Sequence, residues 1–88
     1  VNPGHRLSYQ KHLKREEFWT AVQGNGLVTL DGQDIPISEG NSIHIPTGSL
    51  HRIGCLGNDP FIFIEIQRGS YFGEDDIIRV SDDYGRAQ

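Results

Sequence analysis

Four side chains in this sequence are of the types that bind metal ions, and their spacing suits β-strands. Gln10 and His12 are two residues apart, so on a strand they project from the same face. Glu17 follows five residues later, and His51 lies in the second half of the chain. Two imidazoles, a carboxylate and an amide oxygen suit a divalent metal, Zn first, with Mn, Co, Fe or Ni as alternatives. Each residue alone could be structural, but the joint spacing favours a metal site.

Turn-forming residues stand at fixed offsets from these candidate ligands. Gly24 lies seven residues after Glu17, where the strand that carries Glu17 must turn. The second half holds a glycine, a proline, a glycine and a histidine at offsets of six, two and three: Gly40, Pro46, Gly48 and His51. This two-part arrangement resembles the cupin pattern. The resemblance implies a double-stranded β-helix, a small jelly-roll barrel, in which both motifs meet at one metal.

The elements that must position these residues are predicted to be strands. Short apolar runs are separated by Gly, Asn, Asp and Pro, and no stretch of 12 residues keeps a helical period. Many short strands joined by turns indicate an all-β sandwich or barrel. The strands are predicted at residues 6–12, 17–23, 27–30, 35–37, 42–45, 51–55, 61–68 and 77–80. We find no repeat or linker, so one domain is expected over residues 1–88.

Charge and composition limit the classes of molecule that this chain is expected to bind. Eight basic and twelve acidic residues give a net charge of -4, which argues against nucleic acid as a partner. A small phosphorylated metabolite is still compatible, because a local cluster of basic side chains can bind one phosphate. There is no apolar segment long enough to predict a membrane span. The single cysteine, Cys55, cannot form an internal disulfide, and a cytoplasmic location is expected.

A homodimer is expected from the chain length and from one strand. Chains of this size bury only about 60% of their unfolded surface, so a monomer is marginal. The strand after Pro60 is largely apolar on both faces, which suggests a packed sheet or a subunit interface. Its two faces carry Phe61, Phe63, Glu65 and Gln67 on one side and Ile62, Ile64 and Ile66 on the other. Alternatively, the isoleucines pack under the chain's own loops.

Longer stretches make the resemblance more specific. The segments 6–12, 15–19, 45–53, 64–69 and 72–77, with Asp83-Tyr84-Gly85-Arg86, resemble the type II mannose-6-phosphate isomerases. In that family the cupin domain occurs alone or at the carboxyl end of bifunctional mannose-1-phosphate guanylyltransferases. The likeness extends from about Val1 to Arg86. It implies reversible conversion of mannose 6-phosphate and fructose 6-phosphate. The alternatives are a non-catalytic sugar-binding or regulatory cupin and a metal-dependent dioxygenase.

An isomerase of this type needs groups that move a proton and groups that hold the phosphate. Glu65 is the first candidate base, since its strand parity with Phe63 could place it inside the barrel, although it could instead pair with an arginine. His44 is the second candidate; it could face the cavity or point outward, where it would be inert.

For the phosphate, Arg15 and Arg86 are favoured, because they stand at positions that match the resembling family, and Lys14 is a supporting candidate. Its position between two candidate ligands predicts that Arg15 lies at the mouth of the site, and Arg15 is also counted with the catalytic residues. Either arginine could instead form a salt bridge to the acidic residues near the end of the sequence, which are Glu74, Asp75, Asp76, Asp82 and Asp83.

Overall fold

The computed structural model describes residues 1–73 and 75–81 and confirms the all-β prediction. Within these ranges there is no helix, and hence none long and apolar enough to cross a membrane. The strands are β1 (Tyr9–Lys11), β2 (Arg15–Gln23), β3 (Asn25–Leu30), β4 (Gln33–Ser38), β5 (Ser42–Ile45), β6 (His51–Leu56), β7 (Ile62–Gly69) and β8 (Ile78–Ser81). Every predicted strand therefore has a counterpart, with shifted ends.

Two antiparallel sheets hold the strands. One has five strands in the order β4-β3-β6-β1-β8, and the other has three in the order β5-β2-β7. In the larger sheet Gln10 of β1 lies directly opposite His51 of β6, so their side chains share a face. The two sequence motifs are thus brought side by side by one strand pairing.

The first strand is shorter than the predicted 6–12. The backbone of Arg6 forms an isolated β-bridge to Gly54, and the continuous ladder is confined to β1. His12 therefore lies in the connection between β1 and β2 rather than on a strand. The prediction that one strand carries both Gln10 and His12 was wrong, although the His12 side chain is buried.

Strand β2 shows why this segment positions a site. Arg15, Glu17, Trp19 and Ala21 alternate with less buried residues and face the interior, as a period of two requires. The core combines residues of both sheets with Phe61: Trp19, Ala21, Val28, Ile37, Ile45, Ile53 and Phe61. The charged residues Arg15 and Glu17 therefore lie on the same face of β2 as the core residues Trp19 and Ala21.

The hairpin between β3 and β4 follows from two residues. Asp31 and Gly32 both have positive φ, 47° and 82°, the combination of a type I′ turn, whose twist matches paired strands. The Asp31 carboxylate also accepts a hydrogen bond of 2.8 Å from the Leu50 amide, at the entry to β6. This contact holds the hairpin against the segment that leads to His51.

The outer side of the three-stranded sheet is apolar and exposed. Ile62, Ile64 and Ile66 are 48%, 58% and 60% exposed, and Val22 beside them is 47% exposed. We call these four residues the isoleucine face. The opposite side of β7 packs inward, where Phe63 contacts the core. The predicted division of β7 into two faces is confirmed. Among the described residues, no loop covers the three isoleucines, in contrast to the alternative prediction.

Candidate metal centre

Three of the four predicted ligands converge. His12, Glu17 and His51 each offer a ligand atom, and these atoms all lie within 4.8 Å of one another. Two ligands on opposite sides of a metal at 2.0–2.6 Å are about 4–5 Å apart, so the spacing fits a common centre. All three side chains are at most 3% exposed. Glu17 comes from the three-stranded sheet and His51 from the five-stranded sheet.

Backbone carbonyls fix which ring nitrogen of each histidine can bind a metal. His12 Nδ1 lies 2.6 Å from the Asp76 carbonyl oxygen, and His51 Nδ1 lies 3.1 Å from that of Ser49. A carbonyl oxygen only accepts, so both Nδ1 atoms carry the proton and both Nε2 atoms present a lone pair. A hydrogen bond of this kind on the far nitrogen is typical of histidines that bind metals.

The surroundings of His51 show whether these residues fit a bound metal ion. Its Nε2 is buried and has no hydrogen-bond partner among the described residues. Burial lowers the pKa of His51 from 6.5 to about 4, and the electrostatic effects of His12 and Arg15 act in the same direction, against the hydrogen bond to Ser49 and the charge of Glu65. The ring is therefore neutral at neutral pH. A buried neutral nitrogen with an unused lone pair, beside a carboxylate and a second imidazole, fits a divalent metal.

Glu17 is held from both sides by its own strand. Arg15 Nε donates to Oε2 at 2.9 Å, and Trp19 Nε1 donates to Oε1 at 3.0 Å. These donors are the residues two before and two after Glu17, so all three share the interior face of β2. The carboxylate is thus fixed in orientation, with Oε2 at 3.5 Å from His12 Nε2.

Gln10, the fourth predicted ligand, is half-buried on the face that it shares with His51. Its Oε1 accepts a hydrogen bond of 2.9 Å from the Ser8 hydroxyl. A carbonyl-type oxygen has two lone pairs, so this bond leaves one for a metal. Gln10 is compatible with the site, and its role as a ligand stays a prediction.

Arg15 is not at the mouth of the site, where the sequence placed it. Its side chain is 4% exposed, and its guanidinium lies among the ligand atoms, with Nη2 at 3.2 Å from His12 Nε2. Nη1 donates to the Phe72 carbonyl at 3.1 Å. The correction has a simple cause, because β2 begins at Arg15 rather than at Glu17, and the two residues therefore face the same way. Arg15 does form a salt bridge, with Glu17.

Of its two predicted placements His44 takes the second and points outward, which does not support a role as acid or base. His44 pairs with Phe18 on the outer side of the three-stranded sheet, where the two rings stack with centroids 4.7 Å apart. Its Nε2 lies 2.7 Å from Glu16 Oε1, and about half of the side chain is exposed. Its neighbours Ile43 and Ile45 face inward, so strand alternation directs His44 away from the ligand cluster.

Glu65 lies on the interior side of β7, as its parity predicted. It is opposite Trp19, and its Oε2 accepts a hydrogen bond of 2.7 Å from Gln67 Nε2. It is nevertheless exposed, so the alternative of a buried pair with an arginine does not hold. Lys14 is exposed, with its ammonium 5.1 Å from the centre of the Tyr71 ring. Arg86 lies outside the described residues.

Two contributions to the centre were missed from the sequence. Trp19 was read only as part of a resembling run, although its position two residues after Glu17 could have indicated a donor on the same face. The segment before β8 supplies backbone carbonyls, with that of Phe72 holding Arg15 and that of Asp76 holding His12. The Asp76 carboxylate also accepts hydrogen bonds from the Leu13 and Lys14 amides. No sequence signal announces these contacts, because they join segments more than 50 residues apart.

Comparisons with known proteins identify the family of this chain. A family model described as the mannose-6-phosphate isomerase C-terminal domain matches residues 1–82. The alginate biosynthesis protein AlgA of Pseudomonas aeruginosa is 48% identical over 86 residues, which are 98% of this chain and 18% of that protein. A mannose-1-phosphate guanylyltransferase of Klebsiella pneumoniae is 45% identical over the same proportions. The chain thus spans about a fifth of the length of these relatives.

A solved structure supports the fold. A cupin protein from Bacteroides fragilis is 25% identical, with a TM-score of 0.73 over 83% of this chain and 64% of that one. The predicted cupin fold, a double-stranded β-helix, is confirmed. With a family model matching 82 of its 88 residues, the chain belongs to the mannose-6-phosphate isomerase C-terminal family.

Proposed function

We propose that this chain binds one divalent metal through Gln10, His12, Glu17 and His51 and interconverts mannose 6-phosphate and fructose 6-phosphate. The observation that carries the proposal is the buried Nε2 of His51, which has no hydrogen-bond partner among the described residues and lies beside two further ligand atoms. Membership of a family described as mannose-6-phosphate isomerase C-terminal supports the choice of reaction. A bound divalent metal would supply a Lewis acid that stabilises negative charge on the sugar oxygens.

The chain's own residues would provide the proton transfer. Conversion of the aldose to the ketose moves a proton between C2 and C1, so a base must reach that proton directly or through one water. Glu65 is the proposed base, because its carboxylate lies on the interior side of β7 and is accessible to solvent and substrate. Gln67 would orient it by donating to Oε2. His44 is not proposed for this role.

For the phosphate we propose Lys14 together with Arg86, whose basic groups can bind phosphate oxygens. Arg15 could join them only after its guanidinium leaves Glu17 and His12. We also propose a homodimer formed through the isoleucine face, with a small-molecule sugar phosphate as substrate and no nucleic acid partner.

The test is an isomerase assay with mannose 6-phosphate after chelation and after restoration with Zn, Mn, Co or Fe. Activity should vanish on chelation and return with at least one metal. The His51→Ala variant should be inactive, and Glu65→Gln should lose about 10²–10⁴-fold in turnover with the metal still bound. Glu16→Gln, a matched change on the outer face, should retain turnover. Retention of the sugar phosphate without turnover in the loaded protein would instead indicate a binding module.

A further inference from the structure

Arg15 has an unusual place for a basic residue: its guanidinium sits against the atoms that would bind a metal. Nε donates to Glu17 Oε2, and Nη2 lies 3.2 Å from His12 Nε2. Nη1 donates to the Phe72 carbonyl, so all three nitrogens of the fork are engaged. The side chain is 4% exposed, which means that these contacts are made out of water.

The contact with His12 uses the lone pair that a metal would need. His12 Nδ1 donates to the Asp76 carbonyl, so Nε2 is the acceptor of the ring and has a single lone pair. Arg15 Nη2, which can only donate, is directed at that lone pair. A nitrogen cannot accept this hydrogen bond and coordinate a cation at the same time. One of the two partners must leave.

Glu17 is shared in a different way. Its Oε2 faces both Arg15 Nε and His12 Nε2, at 2.9 Å and 3.5 Å. The guanidinium neutralises this buried carboxylate, which would be costly if it were left unpaired. A cation that enters the cluster would take over that neutralising role. The positive charge of Arg15 would then repel it unless the guanidinium moved.

We propose that Arg15 is an internal competitor of the metal, and that a divalent cation binds only by displacing the Arg15 guanidinium from His12 Nε2. The inference rests on the metal-binding part of the proposed function and not on isomerase activity. Arg15 thereby sets the metal affinity of the cluster below the value that its ligands alone would give. It also keeps the ligands in place before the metal arrives.

Isothermal titration of the chelated protein with Zn²⁺ tests this proposal. Arg15→Gln should bind Zn²⁺ about ten- to a hundredfold more tightly than the wild type, the range that corresponds to a hydrogen bond with a charged group. Arg15→Lys keeps the charge but cannot reproduce the planar fork, so it too should bind more tightly. The matched control is Arg68→Gln, which removes the same charge from a side chain that is 78% exposed. It should stay within about threefold of the wild type, as expected of a screened surface charge.

The outcomes are distinct. If the wild type binds Zn²⁺ and neither Arg15 variant binds more tightly, Arg15 is a supporting residue and the inference fails while the metal centre stands. If Arg15→Gln alone gains affinity, the effect is one of net charge, and the displacement is again refuted. If no form of the protein binds Zn²⁺, both proposals fail. A measurement on the wild type is independent of variant folding: the ¹⁵N-edited signal of Arg15 Nε–H should shift and lose protection from exchange on saturation with Zn²⁺, and an unchanged signal would overturn the proposal.

Discussion

Replacing Glu17 by Gln should destabilise the metal-free protein strongly. The two carboxylate oxygens accept from two different donors, Arg15 Nε and Trp19 Nε1. An amide has one oxygen and one NH₂ group, so its nitrogen must face one of these donors. The change also removes the negative charge that Glu17 places beside the buried guanidinium. Breaking a buried pair by removing one partner costs about 3–5 kcal/mol. Chains of this length have a total stability of about 4–13 kcal/mol.

Urea and thermal unfolding of chelated protein measure the effect without a contribution from metal. We expect a fall in Tm of at least about 12 °C, since 1 kcal/mol corresponds to about 4–8 °C in a domain of this size. The control is Glu16→Gln, because Glu16 is partly exposed and pairs with His44 on the outer face. That change should cost about 0–1 kcal/mol. Equal losses in the two variants would refute the reasoning. The double variant with Arg15→Gln should lose less than the sum of the single changes.

Three further predictions concern pH, assembly and packing. The pKa of His51 in the folded protein lies below its value in the unfolded chain, so the unfolded state binds the proton first as the pH falls. The metal-free protein should therefore lose up to about 3 kcal/mol of stability between pH values of about 6.5 and 4. Urea titrations across that range measure the loss, which should be absent in His51→Gln. Light scattering at micromolar concentration should give a dimer that Ile64→Lys converts to a monomer, whereas a stable wild-type monomer would contradict the isoleucine interface. Gly26→Ala should cost about 1–3 kcal/mol in thermal unfolding, because its Cβ would lie 2.7 Å from the ring of the buried Phe61; unchanged stability would mean that the ring can move aside.

The strands could be predicted because apolar alternation and turn residues act locally. The convergence of His12, Glu17 and His51 was implied by the resemblance to the cupin pattern, in which both motifs sit at fixed offsets from glycines, and these glycines take positive φ. The place of Arg15 was missed through an error of two residues. The second strand was predicted to begin at Glu17, and a strand that begins at Arg15 turns a residue at the mouth into an interior one. Boundaries are the least certain part of a sequence-based assignment.

His44 could have been assigned from the sequence with one further step. Its neighbours Ile43 and Ile45 are apolar, and a strand that borders a core turns such residues inward. The histidine between them must then face outward. The carbonyls that fix the histidine tautomers could not be foreseen. The one that holds His12 comes from a residue 64 positions away, and its approach depends on how the segment before β8 packs across the entrance to β2.

The division of the ligands between two sheets has a mechanical consequence. Gln10 and His51 belong to the five-stranded sheet and Glu17 to the three-stranded one, and Glu17 and His51 are 34 positions apart in the sequence. A metal ion coordinated by residues of both sheets would crosslink the two sheets. Parting of the layers would have to break coordination bonds as well as apolar contacts. Because such a ligand binds only the closed state, it would lower the frequency of opening in proportion to its occupancy. Amide protons of β2 and β6 would then slow together in hydrogen exchange, although the two strands belong to different sheets and do not pair with each other.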